Sequence, residues 1–250
     1  MHVDIVTIFP ELFDAFRTTG VLGKAVERGV VTIEAHDLRS WSDNRWQQVD
    51  DEPYGGGPGM VIQAPPVIAA LRQLADPGRG SRTILLSPRG RVLDQVMVDE
   101  LATGSHLVLV CGRYEGFDER VSEILEPDEI SVGDYILGGG EVAAMVIVEA
   151  VARLVPGVVG DPGSVSEDSF IAGLLDHPSY TRPPEVESRT VPDVLLSGNH
   201  EKIARWRLER AVEVTVTRRP DLVKKNWDRY PVQVRQLIRR YAPELDPERN

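Results

Sequence analysis

The sequence predicts an α/β fold built on a parallel sheet, followed by a small helical C-terminal domain. Three observations carry that expectation: strand-like and helix-like segments alternate through the first two-thirds of the chain, two of the strand-like runs are apolar without interruption, and a breaker-rich stretch precedes a basic, helical remainder. Residues 3–9 alternate like a half-buried strand. Residues 11–28 then carry Leu12, Phe13, Phe16, Val21, Leu22 and Val26 at roughly helical spacing, and residues 30–35 return to a strand pattern. Pro65 opens a helix that runs to Leu74. Residues 83–86 form a short apolar strand, 93–102 a helix, and 107–111 a further buried strand. Strands that are apolar on both sides need cover on both faces, which parallel sheets receive from their crossover helices. Ligands in such sheets sit outside the carboxyl ends of the strands.

The longest apolar run, residues 142–155, is interrupted by Glu149 and Arg153 and falls short of the roughly 20 residues of a membrane span. The first residues show no basic region followed by an apolar stretch and a cleavage site, so no secretion signal is expected. The single cysteine, Cys111, rules out an intrachain disulfide and suits a reducing compartment. A cytoplasmic location is the expectation. After Val155, Pro156-Gly157, Gly160-Asp161-Pro162-Gly163 and residues 164–169 form a polar segment with no periodicity. This places a catalytic domain over 1–160, a flexible linker over 161–175 and a helical domain over 176–250. Asn199 is a good helix N-cap with Glu201 in the first turn, and Ile203, Trp206, Arg210 and Ala211 continue that helix. Pro220 and Pro231 punctuate two shorter helical patterns, 221–229 and 232–241.

The net charge of −11 is unevenly spread. Residues 201–250 hold 13 Lys and Arg against 8 Asp and Glu, a balance of +5 that leaves −16 on the first 200 residues. Such a two-ended chain suits a basic region that meets a polyanion while the rest does not. The plainer reading of Arg205, Arg207 and Arg210 is the wet face of a helix.

Ser131-Val132-Gly133-Asp134-Tyr135-Ile136-Leu137-Gly138-Gly139-Gly140-Glu141 is the most informative stretch of the chain. Glycine removes the Cβ barrier and lets backbone groups approach a ligand directly. Two more loops, Ser87-Pro88-Arg89-Gly90-Arg91 and Gly112-Arg113-Tyr114-Glu115-Gly116, follow the apolar strands, so three loops can converge on one pocket. None spells a nucleotide-phosphate signature such as G-x-x-x-x-G-K-[ST] or G-x-G-x-x-G. His2, His36, His106, His177 and His200 are scattered along the sequence and no second cysteine completes a zinc set, so no metal site is expected from the residues.

Seven collinear segments resemble one family, the bacterial tRNA (guanine-N1)-methyltransferases of the knotted, S-adenosylmethionine-dependent SPOUT class. They are Asp4-Ile5-Val6-Thr7-Ile8-Phe9-Pro10, Asp51-Glu52-Pro53-Tyr54-Gly55-Gly56-Gly57-Pro58-Gly59-Met60, residues 87–95, 112–121 and 131–141, Glu167-Asp168-Ser169-Phe170, and Arg219-Pro220-Asp221-Leu222. The chain departs from the family pattern at Gly138, where Thr or Ser is commoner, and at Arg89, where Gln is. The resemblance implies a deep trefoil knot of the three loops, a homodimer whose active sites combine both subunits, and tRNA as partner. It implies that S-adenosyl-L-methionine meets Leu86, Ser87, Pro88, Gly112, Tyr114, Glu115, Ser131, Val132, Gly133, Asp134, Tyr135, Ile136, Leu137, Gly139 and Gly140. The apolar wall is expected from Leu86, Ile136 and Leu137.

Guanine N1 carries a proton and is a poor nucleophile, so methyl transfer to it needs a general base. The family motif gives that role to Asp168. Charge developing on guanine O6 calls for a cation, and Arg153 stands at the matching position. Glu115 is implied to orient the base or bind Mg2+, which the family is reported to use. From the residues alone, the plainer reading of Asp168 is a turn cap before Phe170, and Arg153 can pair with Glu149 one helical turn earlier. The functional expectation is methylation of the guanosine just 3′ of a tRNA anticodon; the alternatives are a non-catalytic RNA-binding protein that keeps the fold, and the same chemistry on another RNA guanosine.

Overall fold

The computed structural model describes residues 1–76, 78, 80–160 and 168–249. Two compact units divide the chain, Met1–Pro162 and Gly163–Asn250. The first holds strands β1 (His2–Thr7), β2 (Thr32–Asp37), β3 (Asp50–Asp51), β4 (Val61–Ile62), β5 (Arg82–Val92), β6 (His106–Cys111) and β7 (Asp128–Ser131). Its helices are α1 (Phe13–Phe16), α2 (Gly20–Glu27), α3 (Ala64–Leu74), α4 (Gln95–Ala102), α5 (Arg120–Leu125) and α6 (Gly140–Ala152).

Five strands form one sheet in the order β2-β1-β6-β5-β7, and every pairing within it is parallel. β6 lies at the centre, and all six of its residues are buried. Its pleat sends Leu107 and Leu109 to one face, where Ile147, Val148 and Val151 of α6 pack with Leu22 of α2 and Met97 of α4. Val108 and Val110 go to the other face and meet Val67 and Leu71 of α3 and Val121 of α5. The uninterrupted apolar runs thus reflect cover on both sides.

Three details differ from the sequence expectation. The segment 11–28 is two helices, because Gly20 adopts a left-handed φ of 69° and Thr18 and Thr19 donate their hydroxyls back to the Asp14 and Ala15 carbonyls. The strand at 83–86 does not end there. It bulges through residues 87–90 and resumes, so that Ile130 of β7 pairs with both Leu86 and Arg91. Gly90 permits this return, since a Cβ there would lie 2.4 Å from the backbone of Glu129 and Ile130. The third is β7 itself, a four-residue strand too short to show a period.

The second unit contains the antiparallel pair β8 (Glu185–Val186) and β9 (Arg189–Thr190), a short helix α7 (Asp193–Leu196), then α8 (His200–Arg218), α9 (Pro220–Asn226) and α10 (Val232–Tyr241). Asn199 caps α8 by accepting from the Lys202 amide at 3.0 Å. The core of this unit is Leu174, Val212, Val223, Trp227, Tyr230, Val234 and Ile238. Of the segment read as a linker, 161–167 lies outside the described residues. The remainder is tied to the second unit: Leu174 enters the core, and the Leu175 amide donates to Thr215 Oγ1 at 2.8 Å. Among the described residues no helix is long and apolar enough to cross a membrane.

Candidate active site

The bulge of β5, the loop after β6 and the loop between β7 and α6 meet at the carboxyl edge of the sheet and enclose a cleft of about 380 Å³. Leu86, Ser87 and Pro88 come from the first, Gly112, Tyr114 and Glu115 from the second, and Ser131, Val132, Gly133, Tyr135, Ile136, Leu137, Gly139 and Gly140 from the third. The volume falls in the range of small-molecule sites. Leu86, Ile130 and Ala143 line the cleft beside Leu137 and Ile136, the last 81% exposed.

Glycine is required where two loops touch. A Cβ on Gly140 would sit 2.7 Å from Cys111 Cα and 2.8 Å from Gly112 N, while the Gly140 amide donates to the Gly112 carbonyl at 2.7 Å. Gly138, two residues earlier, has open space for 4 Å around the place a Cβ would take. The third loop also braces itself: Ser131 Oγ lies 3.2 Å from the Gly133 amide that donates to it, and Tyr135 Oη donates to the Val132 carbonyl.

One arrangement beneath the cleft has no counterpart in the sequence reading. Glu141, only 1% exposed, accepts from Thr7 Oγ1 at 2.8 Å and from Arg113 Nε at 3.0 Å, with Arg113 Nη2 a further 2.9 Å contact. Arg113 also donates to the Gly138 carbonyl at 3.0 Å and lies 4.7 Å above the Phe9 ring. A buried carboxylate is costly unless paired, and here it has two donors. Arg113 thereby fastens the second loop to the third. Burial and the Glu141 charge push the Cys111 thiol up, so it is protonated and inert, in keeping with a packing role.

The second loop is joined on its other side to the glycine-rich segment at 55–60. The Glu115 amide donates to the Met60 carbonyl at 3.0 Å, and the Ile62 amide donates to the Gly116 carbonyl at 2.9 Å. A Cβ on Gly59, whose φ is 85°, would meet Glu115 Oε1 at 2.5 Å. Arg89 lines the cleft and pairs with Glu119 at 2.8 Å.

Other residues singled out from sequence stand elsewhere. Asp134 belongs to the third loop without lining the cleft. Arg153 is the C-cap of α6, and its amide donates to the Glu149 carbonyl at 3.2 Å. Asp168 is half-buried in the second unit. The histidines are less scattered than the sequence suggests, because His2, His36 and His106 all bond to the buried carboxylate of Asp4.

The sequence matches the family model described as tRNA (Guanine-1)-methyltransferase TrmD over residues 1–225. Among its relatives is a tRNA (guanine-N(1)-)-methyltransferase of Rhodopirellula baltica, 50% identical over 241 residues, which cover 95% of this chain and 100% of that protein. A protein of the same name from Geobacillus kaustophilus is 47% identical over 249 residues, with 100% of both chains covered. One from Dictyoglomus turgidum is 51% identical over 225 residues, 90% of this chain and 91% of the other. With the match running through all three cleft loops and into the second unit, the chain belongs to the tRNA (guanine-N1)-methyltransferase family.

Proposed function

We propose that this protein methylates N1 of the guanosine 3′ to a tRNA anticodon, with S-adenosyl-L-methionine as methyl donor. The observation that carries the reading is the cleft built from three loops distant in sequence, two of them in backbone contact at Gly140 and Gly112. The fit to the donor rests on that lining. Apolar side chains of Leu86, Leu137 and Ile136 suit an adenosine, backbone groups of the loops suit the adenine edge, and the carboxylates of Glu115 and Glu129 suit a cationic sulfonium or ammonium. When bound, the donor supplies an electrophilic methyl group. Gly112, Gly139 and Gly140 would hold it by the backbone, while the Arg113–Glu141 pair keeps the loops in register.

Asp168 would take the N1 proton, and Arg153 would face the charge that grows on O6. On α6, Val142 and Val146 are exposed, and Glu149 and Arg153 continue the same stripe at i+7 and i+11 from Val142. An exposed apolar stripe of this kind suits a second copy of the chain, which would put Arg153 at a shared site in a homodimer. The tight passage of Gly140 against Cys111 and Gly112 is in keeping with a threaded, knotted chain. The basic second unit would hold the tRNA, and the cytoplasm is where that substrate is found. Glu115, at the cleft edge, is the nearest candidate to engage Mg2+ or the base.

Incubation of the purified protein with methyl-labelled S-adenosylmethionine and an unmodified tRNA transcript, followed by nucleoside mapping, tests the reading. Label at N1 of the guanosine after the anticodon is expected. Label elsewhere refutes the target, and no label refutes the activity. Asp168→Ala should retain donor affinity by calorimetry while losing turnover by several powers of ten.

A further inference from the structure

At the opposite end of the sheet from the cleft, three imidazoles converge on one carboxylate. Asp4, 3% exposed in mid-β1, has its Oδ2 2.7 Å from His106 Nε2 and 3.1 Å from His2 Nε2, and its Oδ1 2.6 Å from His36 Nε2. The parallel register explains the convergence. His2 pairs with His106 across β1 and β6, and Asp4 follows two residues later on the same face. The ligand atoms of His2, Asp4 and His106 all lie within 4.8 Å of one another.

We propose that His2, Asp4 and His106 form a binding site for a divalent transition-metal ion of the zinc type. Two imidazole nitrogens and one carboxylate oxygen are a donor set that such ions prefer and Mg2+ does not. In an ideal tetrahedron with bonds of about 2.0–2.1 Å, ligand atoms stand roughly 3.3 Å apart. The observed 3.1 Å needs almost no adjustment, and the 2.7 Å gap opens by about half an ångström.

The surroundings of His106 point the same way. Ser81 Oγ donates to the Asp76 carbonyl at 2.9 Å, so we assign the hydrogen between Ser81 Oγ and His106 Nδ1, 2.6 Å apart, to the imidazole. A metal ion bound at Nε2 would take the place of the hydrogen shared there with Asp4 Oδ2, which leaves as a proton, and the ring would keep its hydrogen on Nδ1. That is the form that ligates a metal, held by an outer hydrogen bond as metal-bound histidines commonly are. His36 braces the other oxygen of Asp4, and Trp41 packs edge-on against its ring at 6.0 Å. The neighbouring set Asp4, Glu34 and His36 shares the same carboxylate but offers a single imidazole and an exposed glutamate, which makes it the poorer site. Entry is open, since His2 keeps 32% of its side chain exposed.

The site would act as a clamp between β1 and β6 and take no part in methyl transfer. His106 begins the strand that Cys111 ends, and five residues of strand span about 16 Å. Titrating the chelator-treated full chain with ZnCl2 by calorimetry should show one equivalent bound. Saturation should raise Tm by roughly 5–10 °C. Co2+ should give the visible absorption of a four-coordinate site, and MgCl2 should not compete. His2→Gln, at a position about a third exposed, should fold as wild type yet bind zinc at least tenfold more weakly. His106→Gln should abolish binding. The proposal is overturned if the wild-type chain binds no stoichiometric zinc, if His2→Gln binds it as tightly as wild type, or if Mg2+ displaces it.

Discussion

Replacing Gly140 by alanine tests whether loop-on-loop contact builds the cleft. The added Cβ would lie 2.7 Å from Cys111 Cα, whereas ordinary contact begins at 3.4 Å, so the start of α6 and the end of β6 have to part by about 0.7 Å. Both obstacles are backbone atoms and cannot rotate away. The same movement stretches the 2.7 Å bond from the Gly140 amide to the Gly112 carbonyl to roughly 3.4 Å, where it no longer counts as one. Overpacking costs about 1–3 kcal/mol and the lost hydrogen bond about 1 kcal/mol. At roughly 2–4 °C per kcal/mol, Tm should fall by about 5–15 °C. Because Gly112, Gly139 and Gly140 all line the cleft, affinity for S-adenosylmethionine should fall at least tenfold. Gly138→Ala is the matched control, with open space at its Cβ, and should behave as wild type. Thermal melts with calorimetric titration read both quantities. A Gly140→Ala protein with unchanged Tm and affinity would refute the reasoning, and one that loses stability but not affinity would move the donor elsewhere.

Arg113→Ala strands the buried Glu141 with Thr7 as its remaining partner in the network and should cost about 3 kcal/mol, the lower end for breaking a buried pair because Arg113 is a quarter exposed. Combining it with Glu141→Gln should restore part of that, as measured by urea unfolding; a single variant within about 1 kcal/mol of wild type would count against the pairing. Burial pushes the Tyr230 phenol up to about 12 from its usual 10, so the second unit should hold full stability below pH 10 and lose it as pH climbs through 12. Tyr230→Phe gives up the 2.6 Å bond to the Gly173 carbonyl and should flatten that loss in pH-dependent melts; an unchanged slope would contradict the assignment. Arg205 is largely exposed beside Glu209 on α8, and replacing Arg205 and Arg207 by alanine should weaken tRNA binding and shrink its salt dependence. An equal salt slope would return both residues to a solvated helix face.

Much of this protein is legible without coordinates wherever the signal is local. The period of the apolar residues marks β1, β2, β6 and most helices, Asn199 announces α8 by its capping chemistry, and the breakers after Val155 announce a second unit. The glycine loops, read as collinear strings, point to the family. What the sequence could not display depends on contacts between distant residues. β7 has only four residues and acquires its identity from pairing with β5, while Gly90 earns its place by the Ile130 backbone it touches. Thr7 and Glu141 are 134 positions apart, and nothing near either announces the bond. Likewise His2, His36 and His106 look scattered until the strand register brings them onto Asp4. Periodicity and capping are set by neighbours along the chain, so sequence alone determined most of the longer elements and their order. Register and loop contact are set by neighbours in space, so only the tertiary structure decided which side chains share a site.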